Sequence, residues 1–87
     1  MAWYVYIIES TAQTLYTGVT TDVARRFEEH RTGRGAKYFR VHAPKEIVFV
    51  ERKRSRATAQ ARERAIKKLS SLKKRELCER YAAVNSG

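Results

Sequence analysis

The chain predicts an α/β domain of the α+β kind, a three-stranded, mainly antiparallel sheet packed by helices in the order ββαβαα. Three observations predict it. The runs from Trp3 to Glu9, Leu15 to Thr20 and Glu46 to Glu51 have the length and the β-branched and aromatic content of strands. Segments with helical spacing begin near residues 22 and 55 and again after Ser70–Ser71. A length of 87 residues with 43% hydrophobic content supports one core and not two.

In chain order, the strand from Trp3 to Glu9 and the strand from Leu15 to Thr20 flank the polar turn Ser10–Thr14, so they form a hairpin. Thr21 or Asp22 supplies a side-chain oxygen to cap a first helix over Asp22–Thr32. Gly33 stops that helix, because glycine takes the left-handed conformation at little steric cost. Val23 and Phe27 give the helix its buried stripe. A glycine-broken loop from Gly33 to Arg40 ends in a short helical turn, and Pro44 marks the next boundary. Ser55 caps a second helix on which Ala57, Ala61 and Ala65 recur at a spacing of four, with Ile66 and Leu69 extending the apolar face. The last helix carries Leu77, Tyr81 and Val84 at i, i+4 and i+7, and Asn85–Gly87 is expected to fray. The whole chain, 1–87, is read as a single domain with its core over about 3–81.

Composition restricts function. The formal net charge is +10, and residues 52–80 hold 12 basic and 3 acidic side chains, whereas residues 1–51 hold 7 and 6. A field of that sign and asymmetry suits a polyanion, and nucleic acid fits better than a merely solvated face. The basic region lacks the aromatic apolar face of a membrane-surface helix, and no stretch is long and apolar enough to span a bilayer. Cys78 is the single cysteine, which excludes an internal disulfide and a cysteine zinc site and fits a reducing, cytoplasmic setting. No phosphate-loop or dinucleotide fingerprint is present.

Arg26 and His30 are four apart and share a helix face, following a strand tyrosine. A fixed cation, an imidazole and a phenol can together serve acid–base and phosphate chemistry. Each has a plainer reading: tyrosines on strands usually pack, His30 can be a cation on the helix C-terminal dipole, and Glu63 can be an exposed residue paired with Lys67 at i+4.

The set Val5-Tyr6-Ile7, Tyr16-Thr17-Gly18, Arg26, His30, Glu63 with Lys67 and Leu69, together with the Gly33–Tyr38 loop, resembles the GIY-YIG nuclease family. It is most similar to that family's small stand-alone bacterial members of the YhbQ-like, UPF0213 type. The likeness runs from Trp3 to about Leu77, with Val5 standing where the first motif has a glycine. The resemblance implies hydrolysis of phosphodiester bonds in DNA or structured nucleic acid, with low sequence specificity and a place in DNA repair or processing. It also implies one divalent metal, Mg2+ or Mn2+. Tyr6 then matches the general base or water-positioning tyrosine and Tyr16 the second tyrosine at the same centre. Arg26 matches the phosphate-stabilising arginine, and His30 orients Tyr6 or moves a proton. Glu63 matches the metal-binding glutamate. Arg34, Lys37, Tyr38, Arg40, Lys67, Lys68, Lys73, Lys74 and Arg75 are the expected nucleic-acid contacts. The alternative is a basic nucleic-acid-binding module on the same scaffold that cuts little or not at all. An unidentified protein partner is left open. One structural requirement follows: Tyr6 and Tyr16 must share a sheet face, so opposed residues of the hairpin must have an even index sum.

Overall fold

The computed structural model describes residues 1–85. Strands β1 (Trp3–Ser10), β2 (Leu15–Thr20) and β3 (Pro44–Lys53) form an antiparallel sheet in the order β2-β1-β3. Helix α1 (Val23–Arg31) follows β2, and a one-turn helix α2 (Tyr38–Val41) precedes β3. Helices α3 (Arg56–Lys67) and α4 (Ser71–Asn85) complete the chain. This is the expected ββαβαα order, with the short helical turn before Pro44 realised as α2.

The sheet separates two apolar clusters because strand side chains alternate between faces. On one face Val5, Ile7 and Phe49 are buried against Ala59 and Ile66 of α3, with Leu77, Cys78 and Tyr81 of α4 packed beside them. On the other, Tyr6 and Ile8 are buried with Phe39 of α2, against Val23 and Phe27 of α1 and the ring of Tyr16. Full burial of a side chain such as Ile7 or Ile66 stabilises by about 1.5–3 kcal/mol, so a few such residues decide which faces close.

The local signals act as expected at the helix starts. Asp22 caps α1, its Oδ1 accepting the Arg25 N–H at 3.0 Å. Ser55 caps α3 in a reciprocal box with Thr58. Gly33 follows the end of α1 with φ +81°, the left-handed region where glycine alone carries no Cβ penalty.

Three details differ. Ala57, Ala61 and Ala65 point to solvent, and the buried face of α3 is Ala59 and Ile66 with Arg62 and Glu63 half-buried between them. Alanine has too little apolar area to select a face, and one isoleucine outweighs three alanines. The apolar stripe of α4 ends at Tyr81, whose ring lies 5.6 Å from that of Phe49, while Val84 is exposed. Asn85 is helical and its side-chain amide donates to the Tyr81 carbonyl, so the frayed end expected there does not begin at Asn85. Residues 86 and 87 lie outside the described residues.

Candidate active site

The hairpin register pairs Tyr6 with Gly18 and Ile8 with Tyr16, an even sum throughout, so the two tyrosines share a face. Their ring centroids are 6.4 Å apart. Val5 belongs to the opposite face, where it is fully buried in the α3 cluster. The valine in the first motif therefore fills the core beneath α3 and leaves the Tyr6 face unaltered.

Gly18 matters for what it lacks. A Cβ built there would stand 2.4 Å from Tyr6 Oη and 2.6 Å from its Cζ. The tyrosine ring thus lies across the β2 backbone at Gly18, occupying the space that any other residue would fill.

The Tyr6 hydroxyl meets His30 Nε2 at 2.9 Å, both groups being buried. The other ring nitrogen, Nδ1, receives the backbone N–H of Ala36 at 3.1 Å. A backbone N–H can only donate, so Nδ1 carries no proton. A neutral ring then holds its proton on Nε2 and donates to Tyr6 Oη. Gly35 makes this approach possible, since a Cβ there would stand 2.1 Å from His30 Nδ1. The loop is held to the end of α1 by the Arg34 and Gly35 N–H groups, both donating to the Glu29 carbonyl. Phe39 packs on the imidazole with centroids 4.5 Å apart, and Tyr16 meets it edge-on at 5.6 Å.

Electrostatics follow from this burial. Desolvation, reinforced by the Arg26 charge, pushes His30 down to about 4, so the ring is neutral at physiological pH. The cation-on-a-dipole reading of His30 gives way for that reason. Burial, then the neighbouring Tyr16, raises Tyr6 to about 12, against the lowering pull of Arg26. The free protein therefore holds Tyr6 as a phenol. Its oxygen accepts from His30, which leaves its own proton to be donated elsewhere. Arg26 is half-buried; its Nη1 donates to Glu29 Oε1 at 2.9 Å and its guanidinium also bears on the Tyr6 hydroxyl. Arg25, its neighbour, is exposed.

The depressed His30 value has a consequence for stability. The unfolded imidazole, near 6.5, takes up its proton before the folded one at about 4. Stability is therefore complete above pH 6.5 and falls as pH drops from 6.5 towards 4. Chemical denaturation followed by circular dichroism across this window should show the loss. His30→Gln, which still offers an acceptor to Ala36, should flatten this part of the curve. An equal slope in the variant would contradict the buried neutral ring.

Glu63 projects from α3 with its side chain 20% exposed, pairs with Lys67 Nζ at 3.3 Å, and is close enough to Tyr6 to act on it electrostatically. Among the described residues no group of three or more His, Cys, Asp or Glu could hold a metal ion. A lone carboxylate still fits magnesium or manganese, which keep several waters and take one or two carboxylates plus substrate phosphate oxygens.

The expected nucleic-acid contacts divide. Arg34, Lys37, Arg40, Lys67, Lys68 and Lys73 are exposed, and Lys74 is half-buried. Tyr38 lies in the aromatic cluster, 5.5 Å from Tyr16 between ring centroids, and its hydroxyl bonds to Thr14 Oγ1. Arg75 is tied to the hairpin, donating to Glu9 Oε2 at 2.9 Å and to the Gln13 carbonyl. Sequence reading did not single out Gly35 or the Ala36 N–H, nor the clearance role of Gly18. The Gly-Arg-Gly-Ala spacing soon after His30 was the available signal, but its partner nitrogen is known only from the fold.

Residues 2–76 match the profile of the GIY-YIG catalytic domain. A UPF0213 protein of Cupriavidus necator is 46% identical over 95% of this chain and 90% of its own length. The UPF0213 protein YhbQ of Salmonella arizonae is 39% identical over 97% and 84%. The solution NMR structure of a UPF0213 protein from Bacillus halodurans superposes with a TM-score of 0.58 at 42% identity, covering 91% of this chain and 84% of that one. No helix among the described residues is long and apolar enough to cross a membrane. With the tyrosine pair on one face and the matched profile running over residues 2–76, the chain belongs to the GIY-YIG nuclease family, in its UPF0213 group.

Proposed function

We propose that this protein is a divalent-metal-assisted nuclease that hydrolyses phosphodiester bonds in DNA or structured nucleic acid with low sequence specificity. The observation that carries this reading is the buried 2.9 Å bond between Tyr6 and a neutral His30, with Arg26 and Glu63 both acting on the same hydroxyl. A binding module needs surface cations. It has no use for a buried, doubly anchored imidazole that fixes a phenol.

The residues divide the work. His30 holds Tyr6 Oη in place through Nε2–H, and the Ala36 N–H locks that tautomer. Tyr6 and Tyr16 position the attacking water and a phosphate oxygen on the sheet face. Once Tyr6 has given its proton to solvent, His30 N–H and the Arg26 guanidinium stabilise the phenolate, whose oxygen then takes the proton of the attacking water. Arg26 presents planar, permanently charged donors to the phosphoryl oxygens as negative charge builds. Glu63 would hold Mg2+ or Mn2+, which supplies charge neutralisation and an acidified water. Phosphate contacts of this kind position the substrate but do not specify its sequence.

The test is a panel of labelled single-stranded, duplex and branched DNA and RNA, incubated with magnesium, manganese or chelator. Cleavage should require the metal and be lost in Glu63→Gln, which keeps shape and removes charge. Nucleic-acid binding should persist or tighten in that variant. Wild-type cleavage insensitive to chelator, or full activity of Glu63→Gln, would reject Glu63 as the ligand. Binding without cleavage on every substrate would move the assignment to the binding module.

A further inference from the structure

A cationic cluster lies at one end of the sheet, away from the loop that follows α1. Strand pairing sets Trp3 opposite Lys53 and Tyr4 opposite Arg52. The chain then bends through Arg54 and enters α3 at Arg56, whose guanidinium lies 5.7 Å from the Trp3 ring centroid. A cavity of about 540 Å³ opens here, lined by Met1, Ala2, Arg52, Lys53 and Arg54. Lys53 is matched by Glu51 at 3.1 Å, and Arg62 shares the same carboxylate. Arg52, Arg54 and Arg56 are exposed and make no ion pair among the described residues. Clustered like charges repel one another, so an anionic partner is what such a group suits.

Its position says which partner. The β1–β3 pairing is regular from Trp3 to Ile7, so Arg52, opposite Tyr4, stands on the same sheet face as Tyr6, opposite Val50, whereas Arg56, over Trp3, sits on the α3 side of the same sheet end. The other end of β3 adjoins α2 and the loop that carry the exposed Arg34, Lys37 and Arg40. Ten residues of β3 span about 30 Å, and Tyr6 lies between the two cationic ends. A phosphate chain crossing Tyr6 would meet cations on both sides. A span of about 30 Å is close to one duplex turn of about 34 Å.

We propose that Arg52, Arg54 and Arg56 form a second phosphate-contact site, so that the protein grips a nucleic-acid polymer about one duplex turn long across the candidate active site. The proposal takes its substrate class from the nuclease reading but concerns binding alone.

The experiment measures binding with chelator present, so that cleavage does not enter. Fluorescein-labelled DNA and RNA duplexes of about 6, 12 and 24 base pairs are titrated at several salt concentrations against wild type, R52Q/R54Q and R52Q/R54Q/R56Q. The double variant keeps the Arg56–Trp3 contact, and thermal melting checks the fold of both. For 24-base-pair DNA the slope of log affinity against log salt should fall by about 0.9 for each phosphate that the variant leaves unneutralised. The gain in wild-type affinity from about 6 to about 12 base pairs should be flattened in the variants, because a longer duplex then finds no second grip. Whether DNA or RNA shows the larger change identifies the source of the phosphates. Unchanged slope and length dependence in a folded variant would overturn the site. So would a loss of binding seen only on phosphatidylglycerol vesicles with duplex binding intact. Arginine-dependent duplex binding in chelator, together with no cleavage of any substrate in a parallel magnesium and manganese arm, would reject the nuclease reading and leave this site standing.

Discussion

Gly18→Ala should lower single-turnover cleavage by at least about a hundredfold while the chain still folds. Misplacing a reacting group by about 1 Å is enough for that loss. The added methyl would stand 2.4 Å from Tyr6 Oη, a separation that real Cβ atoms essentially never show, so the ring must leave its place. Movement of the ring breaks the 2.9 Å bond to His30 and takes the hydroxyl away from Arg26. The backbone at Gly18 is not in the left-handed region, so the substitution adds no conformational strain of its own. Tyr6→Phe supplies the reference, removing the hydroxyl and keeping the ring. If Gly18 acts through that hydroxyl, Gly18→Ala and Tyr6→Phe should be strongly non-additive, the double variant cutting about as slowly as Tyr6→Phe alone. Circular dichroism and thermal melting separate this from general unfolding. Near wild-type cleavage by a folded Gly18→Ala protein would remove Tyr6 from the chemistry.

The outline of the fold was legible because the strong signals agreed with one another. Asp22, Gly33 and Ser55 punctuate the helices at the positions their side chains or backbone freedom dictate. The common face of Tyr6 and Tyr16 followed from a period of two and a register, although only the fold supplies the register itself. The buried face of α3 was not legible. The Ala57–Ala61–Ala65 spacing reads as a stripe, yet helix propensity alone accounts for alanines on an exposed face. Which side of Val5-Tyr6-Ile7 meets α3 was likewise hidden in sequence. Alternation sends Val5 and Ile7 to the core beneath α3 and Tyr6 to the opposite face. Of the two partners of His30, Tyr6 entered only through the family resemblance, and the backbone N–H of Ala36, six residues on, could not be read at all. Arg75 looked like one more phosphate contact, and its ties to Glu9 and Gln13 depend on α4 folding back over the hairpin.

Arg26→Lys bears on the central claim that this face of the sheet is a catalytic centre. The guanidinium is held by Glu29 at 2.9 Å and faces the Tyr6 hydroxyl, so its orientation is set before any substrate arrives. Lysine retains the charge and loses the planar fork that can hold Glu29 and a phosphoryl oxygen together. Interactions made only in the transition state act on rate and not on binding. Removal of one such donor costs about a hundredfold to a thousandfold. Arg25 is the internal control, since it lies about 100° around the helix and is exposed. The decisive measurement is single-turnover cleavage of one labelled duplex, at saturating protein with magnesium, by wild type, Arg26→Lys and Arg25→Ala. The account predicts a loss of about a hundredfold or more for Arg26→Lys with affinity nearly unchanged, and almost full activity for Arg25→Ala. Equal, mild effects at the two arginines would contradict catalysis at this helix.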